Sequence, residues 1–170
     1  MDTLTKLAIK YKTDKWGKHH YTPYYYNLFK DWRESVKKVV EIGAGEGASL
    51  RMWRDFFPNA LIYGGEVDEG RVFKEDRIEV FKCDQADTLD LMDLIVKTGH
   101  DIDLFVDDGS HKPEDQVFTL NNIMPNLHKG TIYIIEDVSD PSIMKEIDVY
   151  KPEMVEIGKR YDDRLIIVRK

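Results

Sequence analysis

The segment Glu41-Ile42-Gly43-Ala44-Gly45-Glu46-Gly47 directly follows the apolar start of a strand, Lys38-Val39-Val40. It directly precedes a helical pattern in which Leu50, Trp53 and Phe57 share one face. Glycines at such a junction let the backbone turn tightly and approach a ligand, while the first turn of the helix presents unpaired N–H groups. Strand, glycine turn and helix in this order open a parallel α/β sheet and predict a nucleotide-like ligand. A turn without a ligand would not require three glycines in five residues.

Outward from this turn, short apolar runs alternate with helical patterns. Strands are expected at 38–42, 60–67, 78–83, 102–107 and 131–137, with helices at 47–57, 86–98, 113–127 and 141–148. Leu89, Met92 and Val96 are the expected inner face of the 86–98 helix, and Val117, Leu120 and Met124 that of the next. Before the turn, Leu4, Leu7, Ala8 and Tyr11 mark a first helix. Thr22-Pro23 caps a second, carrying Tyr25, Leu28, Phe29 and Trp32, and the polar residues 13–20 between them read as loop. Residues 153–160 and 164–169 flank Tyr161-Asp162-Asp163 as a hairpin. The expected fold is α/β: a doubly wound, mostly parallel, Rossmann-like seven-stranded sheet ending in an antiparallel hairpin.

Chains usually divide only beyond roughly 250 residues, so the 170 residues read as one domain, 1–170, with an N-terminal helical cap at about 1–35. The 25 Lys and Arg against 32 Asp and Glu give a net charge of −7, whose field repels polyphosphate, so no nucleic-acid partner is expected. No apolar run approaches the roughly 20 residues of a membrane span, and MDTLTKLAIK has no leader pattern; no membrane partner and a cytoplasmic location are expected. The single cysteine, Cys83, ends a strand and reads as a small buried hydrophobe.

The ligand class is narrower than "nucleotide". No Gly-Lys-Ser/Thr follows the glycines, which excludes a P-loop, whereas Gly43, Gly45 and Ala48 followed by Glu66 at the end of the second strand satisfy the spacing of an NAD site. Asp107-Asp108 and Glu136-Asp137 end two further strands, so their acids meet at the carboxyl edge that also holds the glycine turn. Four converging acids need a cation, and oxygen donors suit Mg²⁺ or Ca²⁺; the alternative is that they are helix caps and solvated strand ends. His111 lies three residues past Asp108 and can reach back over the same edge, unless it is a surface or capping residue. His19 is left open between a functional and a packing role.

With its acid two positions before the first glycine, Glu41-Ile42-Gly43-Ala44-Gly45-Glu46-Gly47 resembles the motif of class I S-adenosylmethionine-dependent methyltransferases. Thr13-Asp14-Lys15-Trp16-Gly17, His19-His20-Tyr21-Thr22-Pro23, Asp108-Gly109-Ser110-His111 and Ile135-Glu136-Asp137, in this order, resemble more narrowly the metal-dependent sugar O-methyltransferases of macrolide biosynthesis. The resemblance implies S-adenosylmethionine beside Glu41, Gly43 and Gly45, its ribose on Glu66 and its adenine flanked by Asp84 and Gln85; Asp107 is counted with these cofactor-binding residues. Where the family has aspartate at the end of the second strand, this chain has Glu66. It further implies Mg²⁺ on Asp108, Glu136 and Asp137, with His111 as catalytic base acting beside Asp108. The expected activity is methylation of a hydroxyl on a sugar or glycosylated small molecule in natural-product biosynthesis, with a homo-oligomer allowed for. An NAD(P)-dependent oxidoreductase and a non-catalytic cofactor-binding partner subunit are the alternatives.

Overall fold

A computed structural model describes all residues 1–170. Helices α1 (Thr3–Tyr11) and α2 (Thr22–Phe29) precede β1 (Lys38–Ile42), α3 (Ala48–Phe56), β2 (Leu61–Glu66), β3 (Lys74–Glu75) and β4 (Ile78–Lys82). There follow α4 (Thr88–Thr98), β5 (Leu104–Asp107), α5 (Pro113–Ile123), β6 (Ile132–Ile135), α6 (Ile143–Glu146), β7 (Glu153–Glu156) and β8 (Arg164–Arg169). The sheet order is β3-β4-β2-β1-β5-β6-β8-β7. β4, β2, β1, β5 and β6 run parallel, and β8 and β7 close one edge antiparallel. Seven strands match the expected set; the eighth, β3, is a two-residue antiparallel addition at the opposite edge.

The chain winds outward from β1 to β2 and β4, then returns to β5 on the other side of β1. That reversal leaves a crevice at the carboxyl ends of β1 and β5, where open α/β sheets bind ligands. One face of the sheet is covered by α1, α2 and α3, whose Leu4, Tyr25, Phe29, Trp53 and Phe56 join Val39, Ile62, Val80 and Leu104 in one core. The opposite face packs Leu91, Leu94 and Ile95 of α4 and Leu120 and Ile123 of α5 on Val40, Phe105 and Tyr133.

Two expectations need correction. In α4, Leu89 and Val96 are exposed and the inner face is Leu91, Leu94, Ile95 and Thr98. Both sets have helical spacing, and the sheet's demand for a flat aliphatic face selects the second. Thr22 is the first residue of α2 rather than its cap; its hydroxyl bonds that of Thr5 at 2.8 Å, pinning α2 on α1, and the helix stops before Trp32. Cys83 is buried as expected, and burial pushes its thiol up to about 12.

Asp55 of α3 ties α1 down from the side. It accepts from Lys10 at 2.8 Å and from the Tyr11 hydroxyl, with Arg54 adjacent. Partial burial works against its charge, but these donors outweigh it and hold the carboxyl at about 2, below its ordinary 3.8. A depressed carboxyl stabilises the fold above the unfolded value and loses that contribution as the pH falls through the folded one. Asp55→Asn should therefore lower unfolding stability by about 1 kcal/mol at pH 7, a solvent-screened figure, in urea titrations. The difference from wild type should vanish between about pH 4 and pH 2; an offset unchanged across that window would refute the assignment.

Candidate active site at the carboxyl edge

Gly43 directly follows β1 with φ +86°, and a Cβ there would lie 1.9 Å from the backbone oxygen of Asp108. Only glycine lets the turn after β1 touch the tip of β5, and this contact sets the glycine turn against the acids. The Gly43 amide donates to the Gly65 carbonyl at 2.9 Å and the Asp108 amide to the Ile42 carbonyl at 3.0 Å, so the tips of three strands are locked together. Above them opens a cavity of about 800 Å³. Its walls include Gly43–Glu46, Glu66, Asp84, Gln85, Asp108 and His111.

The expected cofactor residues divide by depth. Gly45 is open on its Cβ side and donates its amide to Glu66 Oε2 at 2.7 Å, while Glu66 Oε1 accepts from the Asp68 amide at 3.0 Å. Gly43, Gly45, Glu66, Asp84 and Gln85 reach the cavity; Glu41 and Asp107 do not line it. Glu41 lies fully buried on the helical side, accepting from Trp53 Nε1 at 2.6 Å and from the Ser49 hydroxyl. Asp107 is buried beneath Gln85 and Tyr133, and loss of solvent pushes its carboxyl up to about 7. Gln85 does more than border the cavity: its amide nitrogen bonds Asp107 and Thr119, and its oxygen accepts from the Ser110 amide.

On the other side of β1, Asp108 and Asp137 converge on His111. The imidazole Nε2 lies 3.2 Å from Asp108 Oδ1 and Nδ1 lies 3.4 Å from Asp137 Oδ2. The hydrogen bond with Asp108 raises the His111 pKa above its ordinary 6.5. Both His111 and Asp137 have left-handed backbones, φ +59° and +52°, a costly conformation for a side chain and one that aims both groups inward. One ligand atom each from Asp108, His111 and Asp137 lie within 4.8 Å of one another, a spacing that one cation can bridge.

Glu136 joins Asp108 through a shared lysine. Its carboxylate accepts from Lys15 Nζ at 2.7 Å and the Tyr25 hydroxyl at 2.5 Å, so the expected third metal ligand is engaged by donors of the N-terminal segment. Lys15 is 1% exposed, with Nζ also 2.7 Å from Asp108 and 3.7 Å from Glu41. Burial works against its charge, but the fields of Asp108, Glu136 and Glu41 outweigh it and hold its pKa well above the ordinary lysine value. Asp108 answers in kind: burial opposes its charge, yet Lys15 and His111 hold it at about 2.

The chain matches no protein-family model. It is 37% identical over 142 residues to the 8-demethyl-8-alpha-L-rhamnosyl tetracenomycin-C 2'-O-methyltransferase of Streptomyces olivaceus, covering 79% of this chain and 37% of that protein. It is 34% identical over 166 residues to the demethylmacrocin O-methyltransferase of Streptomyces fradiae, covering 91% and 42%. The MycE methyltransferase of the mycinamycin biosynthetic pathway, solved with Mg and SAH, superposes with TM-score 0.82 at 28% identity over 99% of this chain and 54% of its own. The chain is homologous to these O-methyltransferases over the matched stretches. It spans about two fifths of the length of the two curated relatives.

The residue missed by sequence reasoning is Lys15. It stands in a polar loop whose Thr13-Asp14-Lys15-Trp16-Gly17 carries part of the resemblance with no role assigned to Lys15, and the physical signal for it is the demand of four acids for a cation. Lys15 supplies part of that demand from within the chain. Removing one partner of a buried ion cluster costs about 3–5 kcal/mol, so Lys15→Met should lose stability on that scale in denaturant titrations at neutral pH. Burial already raises Glu136 and Glu41 above the ordinary 4.5. Carboxyls raised in the fold favour it at low pH and disfavour it as the pH rises, so the deficit should shrink toward pH 4.5. A Lys15→Met protein as stable as wild type at pH 7 would contradict the buried pairing.

Proposed function

We propose that the chain acts as an S-adenosylmethionine-dependent, Mg²⁺-dependent O-methyltransferase domain, residues 1–170 with α1 and α2 as its cap, working on a hydroxyl of a sugar or glycosylated small molecule. One observation carries this reading: a single cavity joins the glycine turn and Glu66 at one end to Asp108 and His111 at the other. A volume of about 800 Å³ is in the range of small-molecule sites, and the open side of Gly45 together with the Glu66 carboxylate fits a nucleoside whose hydroxyls need acceptors. Solved relatives with Mg, SAH and Mycinamycin VI support the same reading.

A methyl sulfonium is already activated, so the protein's share of the work is alignment and removal of the acceptor proton. Gly43 and Gly45 let the cofactor lie against the backbone, Glu66 accepts from its ribose, and Asp84 and Gln85 border its base. Hard carboxylate oxygens make Asp108 and Asp137 a fit for Mg²⁺, with Glu136 next to them through Lys15. Mg²⁺ bound there would supply Lewis acidity, lowering the pKa of an acceptor hydroxyl from near that of water toward the range of histidine. His111 is half-exposed toward the cavity, held between Asp108 and Asp137, and takes the hydroxyl proton directly or through one water.

Calorimetry with S-adenosylhomocysteine and NAD separates this reading from an oxidoreductase. S-adenosylhomocysteine should bind and NAD should not compete, and Glu66→Ala should weaken S-adenosylhomocysteine roughly 10- to 100-fold through lost charge-assisted hydrogen bonds. Tight NAD binding without a response to S-adenosylhomocysteine would overturn the proposal. In turnover assays on glycosylated acceptors, excess EDTA should abolish methyl transfer. His111→Ala should lower kcat by about 10²–10⁴ while retaining cofactor, and His111→Gln should not restore it, because an amide cannot accept the proton. A His111→Gln protein turning over at the wild-type rate would reduce His111 to a positioning residue.

A further inference from the structure

The loop that carries Lys15 also carries His19, which the chemistry above leaves unused. Its ring is 1% exposed and stacks on Tyr21 with centroids 4.9 Å apart. Nδ1 lies 2.7 Å from Asp163 Oδ1, and a carboxylate at that distance takes a hydrogen bond from Nδ1–H. That tautomer leaves a lone pair on Nε2, which is buried and has no hydrogen-bond partner. Nε2 points at Asp137 Oδ2, 3.4 Å away. Two buried lone pairs facing each other are costly unless something positive sits between them.

The surroundings specify that charge. Asp137 Oδ1 accepts from the Tyr21 hydroxyl at 2.6 Å, which fixes the carboxylate and leaves Oδ2 facing His19 and His111 alike, each at 3.4 Å. Asp162 brings a third donor, and one ligand atom each from His19, Asp137 and Asp162 lie within 4.8 Å of one another. Two ligands about 2.1 Å from a tetrahedral metal are about 3.4 Å apart, the separation found here. An imidazole oriented by a carboxylate on its far nitrogen is the usual support of a metal-ligating histidine. Competing cations are peripheral: Lys18 Nζ stands 3.9 Å from Asp137, and Arg160, half-exposed, pairs with Asp162 at 3.1 Å and can turn to solvent.

We propose that His19, Asp137 and Asp162 form a second cation site, selective for a divalent transition metal of the zinc type over Mg²⁺. Asp137 Oδ2 is shared with the Asp108–His111 cluster, and Asp163 orients His19. Imidazole nitrogen beside carboxylate oxygen suits such metals, whereas Mg²⁺ favours oxygen alone. The site stands on its own residues and does not depend on the methyl-transfer reading.

Cobalt(II) serves as the probe, by equilibrium dialysis of the EDTA-treated 170-residue chain, with circular dichroism to check folding. Wild type should bind two equivalents. His19→Gln and Asp162→Asn should each lose one, and Asp163→Asn should weaken that same equivalent about 10- to 100-fold. Asp108→Asn should lose the other equivalent and keep the one that His19→Gln removes. A wild-type protein binding a single equivalent that persists in folded Asp162→Asn and disappears in Asp108→Asn would overturn the second site, leaving His19 a packing residue held by Asp163. One equivalent lost in Asp162→Asn and kept in Asp108→Asn would uphold this site while removing the metal from the proposed methyl-transfer centre.

Discussion

One ammonium group holds the functional edge of the sheet in place. Lys15 reaches Asp108 across 93 positions of sequence and Glu136 across 121, at 2.7 Å each. Three carboxylates crowded at buried strand tips would otherwise repel one another or take up protons. A buried lysine in their midst keeps Asp108 ionised, and it draws the loop between α1 and α2 down over the tips of β5 and β6. The aromatic packing of α2, with the Tyr25 hydroxyl on Glu136 and its ring edge-on to Trp53, follows from that attachment.

The arrangement is economical in charge and strict in geometry. Glu41, beneath the glycine turn, shares Lys15 with the acids at β5 and β6. The floor of the cavity and the acid cluster are therefore electrostatically one unit, although Glu41 itself is sealed from the cavity. Gly43 performs the same joining in backbone terms, since any side chain there would drive the turn away from Asp108. Gln85 completes it through amide contacts to Asp107 and Ser110. Such buried polar connections are worth having only when every member is satisfied.

Much of this was legible in the residue order. The glycine turn, the paired acids at successive strand ends and His111 three residues later announce a ligand edge because strand periodicity fixes where each strand stops. What was illegible has a common cause: groups whose partners lie far away in the chain. Lys15 and His19 are buried within a stretch that is polar in composition and otherwise largely exposed, and nothing local distinguishes a buried lysine from a solvated one. Glu136 was read by its position beside Asp137, and nothing local shows that its carboxylate is engaged by Lys15 and the Tyr25 hydroxyl. The α4 face was misread because Leu89-Asp90-Leu91-Met92 offers two overlapping helical stripes, and only the opposing sheet selects between them.

The hydrogen bond between His19 and Asp163 spans 144 positions, and it makes the hairpin of β7 and β8 a part of the same edge as the N-terminal loop. β8 enters the sheet between β6 and β7, so the loop bearing Lys15 and His19 has its complete seat only after the last strand has been inserted. Contacts of such long separation are entropically late, because the intervening chain must be ordered before they repay its closure. During vectorial synthesis the parallel core can assemble first, with the acidic edge still unclosed. Competence for ligand would arrive as a late event, coupled to the docking of residues 164–169 rather than to formation of the glycine turn.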